Sequence, residues 1–276
     1  PIRLEPAYAP AWVLLADYYI GGTFFAQGPP RELWLKAKEC AQRAVAADPD
    51  FADAHTAVGY TAALSDFRWG EALGRFDTAL RLNPASARTH YLRSQVLFHS
   101  GRGSEGVVSG QRAVDLDPLD ALYGSVLGLC LVLLGEPARA ADHAAQVLEI
   151  VPHSPTAKCV LGIGLGRQGP YQEGIKLLEE GSNEATGLFS MRSFLSWACV
   201  GAGRRDDAEK VLAGLEEKQR NRYVPPATLA VAAIGLGQWE QALTWIDKAI
   251  DERDPTLFWV TLWTETEPVR REPRYR

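Results

Sequence analysis

Three glycines, Gly164, Gly166 and Gly169, have the G-x-G-x-x-G spacing that lets a backbone approach a pyrophosphate. A dinucleotide-binding fingerprint must follow a strand and open a helix, because the helix N-terminus binds the phosphate. Here the context fails, since Gly169 is one of a series of turn glycines spaced 34 residues apart. The sequence therefore predicts no cofactor, and Gly162, Gly164 and Gly166 are expected to mark close packing or a soft spot in a helix.

No other set of side chains has the spacing of a reactive site. Only two of the five histidines share a column of successive predicted helices, namely His55 and His90, so these two could approach one another. Neither belongs to an H-x-x-x-H pattern or has nearby Cys, Asp or Glu ligands, and no serine lies in a nucleophile elbow. We therefore predict no catalytic residue, no metal site and no enzyme.

The elements that would position any functional residue repeat along the chain. A turn glycine recurs at Gly101, Gly135, Gly169, Gly203 and Gly237, and a small residue follows five positions later at Gly106, Ala140, Gly174, Ala208 and Ala242. Small residues recur where neighbouring helices cross closely, because larger side chains there would overpack the contact. Proline closes several units because it cannot continue a helix, as at Pro84, Pro118 and Pro152.

A fixed period of helix-turn-helix units with small residues at the helix contacts resembles the tetratricopeptide repeat (TPR). The resemblance implies an all-α fold, a right-handed α-solenoid of about seven TPR helix-turn-helix repeats with a C-terminal capping segment. The expected repeats are 9–49, 52–84, 87–118, 121–152, 155–186, 188–220 and 223–254. Residues 1–8 are expected to be the tail of a preceding repeat, so that the chain is a fragment of a longer polypeptide, and residues 255–276 a capping segment and tail.

Two irregularities interrupt the pattern. The first repeat is longer than the others, and its glycines and prolines predict an inserted surface loop from Gly21 to Pro30. The fifth repeat lacks a closing proline, so we expect a weaker seam from Gly181 to Gly187 that divides the array into two sub-blocks.

The resemblance also implies a binding surface, because the first helix of each TPR unit lines a concave groove. The residues expected to form a peptide-binding groove are Asp17, Tyr60, Arg88, Tyr91, Gln95, Phe98, Leu122, Leu129, Ile163 and Trp197. TPR modules that clamp a C-terminal carboxylate use lysine and asparagine at such places, and this groove has neither. Exposed aromatic and aliphatic side chains would instead bind a helix or an extended segment. On the alternative interpretation, several of these residues are ordinary core between helices.

Composition excludes some partners. The chain has 276 residues and a formal net charge of −5, and its pI is near 5.6, which argues against nucleic acid and membrane surfaces as partners. Its longest apolar run, from Val126 to Leu134, is too short to span a bilayer. The four cysteines, Cys40, Cys130, Cys159 and Cys199, lie far apart, so we expect reduced, buried thiols in a cytoplasmic protein.

Several stretches, including PPRE, KAKECAQRAVAADPDFADAH, RRDDAEKVL and DPTLFW, resemble the C-terminal TPR region of multidomain bacterial regulators. This resemblance implies a non-enzymatic protein–protein interaction scaffold, the regulatory part of a larger protein. Its expected partner is a protein or peptide, including a segment of its own polypeptide. The alternative is self-association as a homodimer, and a more distant alternative is a small-ligand sensor.

Overall fold

The computed structural model describes residues 4–24, 30–184 and 191–271, and all regular secondary structure in these ranges is helical. The all-α class is therefore confirmed. The chain divides into two compact units after Pro118, which we call the N-terminal block (residues 1–118) and the C-terminal block (residues 119–276).

The N-terminal block consists of three antiparallel helix pairs. Within each pair the two helices pack together, and the first helices of successive pairs also contact one another. Large side chains fill the space between the pairs, among them the buried Trp34, Tyr60 and Phe76. The helices are α1 (Ala9–Phe24), α2 (Pro30–Ala47), α3 (Ala52–Asp66), α4 (Trp69–Leu82), α5 (Ala87–His99) and α6 (Gly103–Leu116).

The C-terminal block continues the same plan with four helix pairs and ends in three short elements. Its paired helices are α7 (Ala121–Leu133), α8 (Pro137–Ile150), α9 (Pro155–Gln168), α10 (Tyr171–Glu184), α11 (Phe194–Gly201), α12 (Arg205–Asn221), α13 (Pro226–Leu236) and α14 (Trp239–Glu252). A 3-10 turn at Met191–Ser193 precedes α11. The final elements are α15 (Leu257–Leu262), a 3-10 turn (Thr264–Thr266) and α16 (Glu267–Arg270), and we call residues 257–270 the C-terminal segment.

Side-chain caps begin several of the first helices. The side chains of Ser86 and Ser154 accept hydrogen bonds from the backbone N–H groups of Thr89 and Ala157, and Asp120 does the same for Leu122. Each cap satisfies one of the N–H groups that have no partner within the helix. Each cap lies two positions after a closing proline, so one helix ends and the next begins within a few residues.

The turn glycines have a common backbone conformation. All five, Gly101, Gly135, Gly169, Gly203 and Gly237, have positive φ, between 73° and 118°. This conformation ends a helix at little cost only when the residue lacks a Cβ atom. Phe67 lies in the same column, 34 positions before Gly101, and adopts φ 57° while its ring stacks on Trp69 with centroids 5.6 Å apart. The 34-residue period is therefore a period of left-handed turn residues.

We predict that Gly203→Ala lowers the free energy of unfolding by about 1 kcal/mol, since alanine is strained at a positive φ. A Cβ at Gly203 would meet no atom within 4 Å, so the cost comes from the backbone alone. Gly74→Ala in α4 is the matched control, because Gly74 is equally uncrowded but helical, and it should raise stability by about 0.5–1 kcal/mol. Urea denaturation measures both values, and equal effects in the two variants would contradict the prediction.

The glycines inside α9 mark close approaches, as the sequence predicted. A Cβ on Gly162 of α9 would lie 2.7 Å from the carbonyl oxygen of Gly174 in α10, and a Cβ on Gly174 would lie 2.5 Å from that of Gly162. A Cβ on Gly164 would lie 3.1 Å from the carbonyl oxygen of Pro137. The glycine spacing therefore serves packing between helices.

The two predicted irregularities differ from the structure. Helix α1 continues to Phe24, so the part of the expected loop from Gly21 to Phe24 is helical, and Gly22 and Thr23 are buried there. Residues 25–29 of that loop lie outside the described residues. Helix α10 likewise continues through Glu184, and residues 185–190 are not described. The division between compact units comes after Pro118 instead of at the expected seam.

Candidate protein-binding faces

Three of the predicted groove residues in the N-terminal block are core residues. Tyr60, Gln95 and Phe98 are at most 5% exposed. The Tyr60 hydroxyl donates to Gln95 Oε1 at 3.0 Å, and a Cβ on Gly106 of α6 would lie only 2.8 Å from the Phe98 ring. The expectation that these side chains are exposed was wrong, because each first helix is enclosed by its own second helix and by the neighbouring pairs.

The other three, Asp17, Arg88 and Tyr91, keep part of their surface exposed. Arg88 of α5 forms an ion pair with Asp17 of α1, and its Nη1 lies 3.8 Å from a carboxylate oxygen of Asp53. Burial raises the pKa of Asp17 in spite of the Arg88 guanidinium. Two carboxylates thus face one guanidinium, which leaves this face little positive charge with which to hold an anionic ligand.

In the C-terminal block, Leu129 and Ile163 are fully buried, so their expected exposure was also wrong. They lie on α7 and α9, which pack against each other and against α8. Leu122 at the start of α7 is 41% exposed, and Trp197 of α11 is partly buried.

Trp197 is part of an aromatic and cationic cluster that the C-terminal segment covers. Its ring lies 6.4 Å from the Trp263 ring and 5.6 Å from the guanidinium carbon of Arg167, and the ring of Phe194 lies 5.1 Å from Trp263. Arg167 donates to Thr264 Oγ1 at 2.9 Å and forms an ion pair with Glu265. The C-terminal segment therefore contacts α9 and α11 through aromatic rings and one charged pair.

The start of the C-terminal segment is fixed to α13. The buried Asp254 carboxylate accepts hydrogen bonds from the Ala227 backbone N–H at 2.9 Å and from the backbone N–H and hydroxyl of Thr256. Burial raises the pKa of this carboxyl group. Helix α15 then contacts α13 and α14, as expected of a cap, and it also reaches α7. The contacts with α7, α9 and α11 were not expected from the sequence.

The two histidines of the shared column do not bind each other. His55 Nε2 donates to the Pro49 carbonyl oxygen at 2.7 Å, and His90 Nε2 donates to that of Pro84 at 3.3 Å. Each ring therefore ties a first helix to the proline that closes the preceding repeat. Within the described ranges, no group of three or more His, Cys, Asp or Glu side chains has an arrangement that could hold a metal ion.

We predict that His99 makes the N-terminal block sensitive to acid. Its imidazole stacks on Trp69 with centroids 6.0 Å apart, and burial lowers its pKa to about 3. In the unfolded chain the His99 imidazole binds a proton below about pH 6.5, whereas in the folded chain it does so only below about pH 3. The free energy of unfolding must therefore fall as the pH is lowered from about 6.5 to about 3. The slope contributed by His99 is at most about 1.4 kcal/mol per pH unit.

Urea denaturation at pH 7, 6, 5 and 4 tests this expectation. His99→Gln should make the free energy of unfolding depend less on pH. His153→Gln, at an exposed position of the C-terminal block, is the control and should leave that dependence as it is in the wild type. A His99→Gln protein that loses stability with acid as steeply as the wild type would contradict the assignment.

The cysteines are thiols buried singly in different helices. Cys40, Cys130, Cys159 and Cys199 form no disulfide within the described part of the chain. Burial raises the pKa of the Cys40, Cys130 and Cys199 thiols, which keeps them protonated and unreactive. Of the helices described, none is long and apolar enough to cross a membrane.

The repeat pattern matches known families. The family model described as "Tetratricopeptide repeat" matches residues 61–121, and a second model of the same description matches residues 227–248. No curated protein matches the chain.

Solved structures share the fold at low sequence identity. A tetratricopeptide repeat protein from Parabacteroides merdae is 16% identical with a TM-score of 0.60, and the match covers 92% of this chain and 99% of that one. Pseudomonas aeruginosa pilF is 19% identical with a TM-score of 0.58 over 77% and 92% of the two chains. A chain of the APC/C hetero-tetramer Cut9-Hcn1 is 15% identical with a TM-score of 0.64 over 96% and 50%. These matches show that the chain shares the fold of the solved structures, and the two family-model matches identify tetratricopeptide repeats at residues 61–121 and 227–248.

Proposed function

We propose that the chain is a non-enzymatic protein–protein interaction scaffold that binds a polypeptide segment on the faces of its first helices. The observation that supports this most directly is the seating of the C-terminal segment on α7, α9, α11 and α13. A surface that holds one aromatic segment of its own chain has the shape and chemistry to hold a segment of a partner. The similarity to a subunit of the Cut9-Hcn1 assembly is consistent with such a role.

In the N-terminal block, the binding residues that we propose are Asp17, Arg88 and Tyr91. Tyr91 offers a partly exposed aromatic ring three residues after Arg88 on α5, and Arg88 forms the ion pair with Asp17. Because aromatic side chains bury much area at a small entropic cost, they often dominate binding energy. The neutralised Arg88 would give direction to a bound segment without attracting an anion over a long range, so binding should depend little on salt.

A pull-down from lysate tests the proposal, with each variant immobilised beside the wild type. Tyr91→Ala should lose about 2 kcal/mol or more of binding free energy, roughly thirtyfold in affinity, while the chain stays folded in a thermal melt. Val108→Ala on α6 is the matched control, because Val108 is 72% exposed on a second helix. If both variants keep every partner, or if all binding disappears in moderate salt, the site lies elsewhere or is electrostatic.

The resemblance to C-terminal TPR regions of bacterial regulators supports a finer proposal, in which the scaffold is the regulatory part of a larger protein. The full-length reading frame is the direct test, because an effector domain encoded in the same polypeptide would support it. A reading frame that encodes repeats alone would contradict it.

Self-association is a second candidate, favoured by exposed large hydrophobic side chains in the N-terminal block. Leu14 and Tyr18 of α1 lie one helical turn apart, and these residues and Leu35 of α2 are all more than 60% exposed. Light scattering at micromolar concentration separates the candidates. A dimer that Tyr18→Glu dissociates would establish this second function.

A further inference from the structure

The cluster around Trp197 has the composition of a receptor for a short segment. Arg167 is held between the Trp197 ring and the Glu265 carboxylate, and its side chain is only 12% exposed. Phe194 and Trp197 both contact the Trp263 ring. One aromatic side chain and one carboxylate, two positions apart, therefore meet aromatic and cationic counterparts on α9 and α11.

The fit of the C-terminal segment is incomplete. Within the described residues, two buried polar atoms at this contact have no hydrogen-bond partner, namely Trp263 Nε1 and Arg167 Nε. Buried donors without acceptors cost free energy that a better-matched ligand would recover. The segment is thus held by strong contacts but does not use all the groups that the face presents.

The segment also has two parts with different attachments. Asp254 fixes the beginning of α15, and Phe258 and Trp259 are buried in that helix. Helix α15 ends at Leu262, and Trp263 has an extended backbone with φ −66° and ψ 127°. A 3-10 turn and a four-residue helix come after it, so residues 263–270 can separate from the face while α15 stays in place as the cap.

We propose that this face is a receptor for a partner protein segment that carries a large aromatic side chain and, within the next two residues, a carboxylate. Residues 263–270 occupy the receptor in cis, and a partner with the same chemistry replaces them. This inference rests on the proposed function and names the class of partner. A partner segment can bind only to molecules whose residues 263–270 have left the receptor. Its apparent dissociation constant is therefore the intrinsic constant divided by the fraction of such molecules.

A labelled peptide of residues 261–271 is the probe, titrated into full chains. Glu265→Arg places a cation against Arg167 and should release the cis segment, so this chain should bind the natural peptide at least tenfold more tightly than the wild type does. Glu267→Arg is the matched control, because Glu267 is exposed two positions away and pairs with Arg271 rather than with the receptor. The control should bind like the wild type.

Exchanging the charges tests the Arg167 contact itself. A peptide with the Glu265→Arg change should bind the Arg167→Glu chain and should not bind the Glu265→Arg chain. Thermal melts verify that each chain is folded, and Glu265→Gln replaces the reversal if the arginine variant does not fold. The proposal is overturned if the natural peptide binds the Glu265→Arg chain no more tightly than the Glu267→Arg chain. It is also overturned if the Glu265→Arg peptide does not bind the Arg167→Glu chain.

Two further outcomes are informative. If the released chain forms dimers in light scattering, a second copy supplies the segment, which would contradict a separate partner protein. If the peptide fails here but Tyr91→Ala still weakens partner binding in lysate, only the receptor proposal is wrong and the scaffold function stands. If the peptide does not bind and Tyr91→Ala does not weaken partner binding either, both the receptor proposal and the scaffold function are wrong.

Discussion

Ala140→Trp is expected to lower the free energy of unfolding by about 3 kcal/mol or more, and the chain could fail to fold. Ala140 is fully buried in α8, and its carbonyl oxygen lies within 3.4 Å of the position that a Cβ on Gly128 of α7 would occupy. An indole has no space at such a crossing, so α7 and α8 would have to separate. Ala242→Trp, at the equivalent column of the last pair, should behave similarly.

Ala138→Trp is the matched control, because Ala138 lies on the same helix two positions earlier and is exposed. Thermal and urea denaturation give the comparison directly. Ala140→Trp should also lower the free energy of unfolding more than any single change on the first-helix faces proposed for binding. If the Ala140→Trp protein melts like the wild type, the register of the repeats is wrong.

Trp263→Ala is expected to destabilise the C-terminal block by about 3–5 kcal/mol. The side chain is fully buried and contacts Phe194 and Trp197, so its removal leaves a cavity at the centre of the aromatic cluster. Trp263→Phe keeps an aromatic ring in the same place and should cost clearly less.

Amide exchange locates this effect as well as measuring it. Protection should fall in α9, α11 and α13, which the C-terminal segment covers, and remain unchanged in α1 to α6 of the N-terminal block. A Trp263→Ala protein with wild-type protection in α11 would show that the segment contributes little to the block. It would also count against the proposed receptor.

The fold was predictable because its main signal is local. A left-handed turn residue every 34 positions, together with small residues five positions later, fixes where each helix ends and where the pairs cross. Phe67 shows the limit of that signal, since it adopts the turn conformation without being a glycine. The continuation of α1 to Phe24 was missed because glycine favours turns in isolation, whereas burial of Gly22 and Thr23 stabilises helix here.

The binding faces were less predictable because a first helix has neighbours on several sides. A spacing of four residues selects one side of a helix but does not show which neighbour covers it. Phe98 faces the small Gly106 of its own pair, and Tyr60 meets Gln95 of the next pair, so both belong to the core. The pairing of Gly106 with an aromatic residue eight positions earlier could have placed Phe98 correctly.

The position of the C-terminal segment depends on contacts between residues far apart in sequence. Arg167 and Glu265 are separated by 98 positions, and no periodic pattern relates them. The sequence predicted a capping segment at residues 255–276, but no pattern in it could show that the segment contacts α9 and α11 as well as α13. The charged partner, Arg167, lies in the glycine-rich stretch that first suggested a nucleotide site.

The four buried cysteines allow the local opening of individual repeats to be measured. Each lies in a different repeat, with Cys40 on α2, Cys130 on α7, Cys159 on α9 and Cys199 on α11. A thiol reagent can reach each sulfur only when the surrounding helices part, so its labelling rate measures how often that repeat opens. Mass spectrometry of the labelled peptides would therefore give an opening frequency for four repeats of the unmodified protein, without any introduced probe.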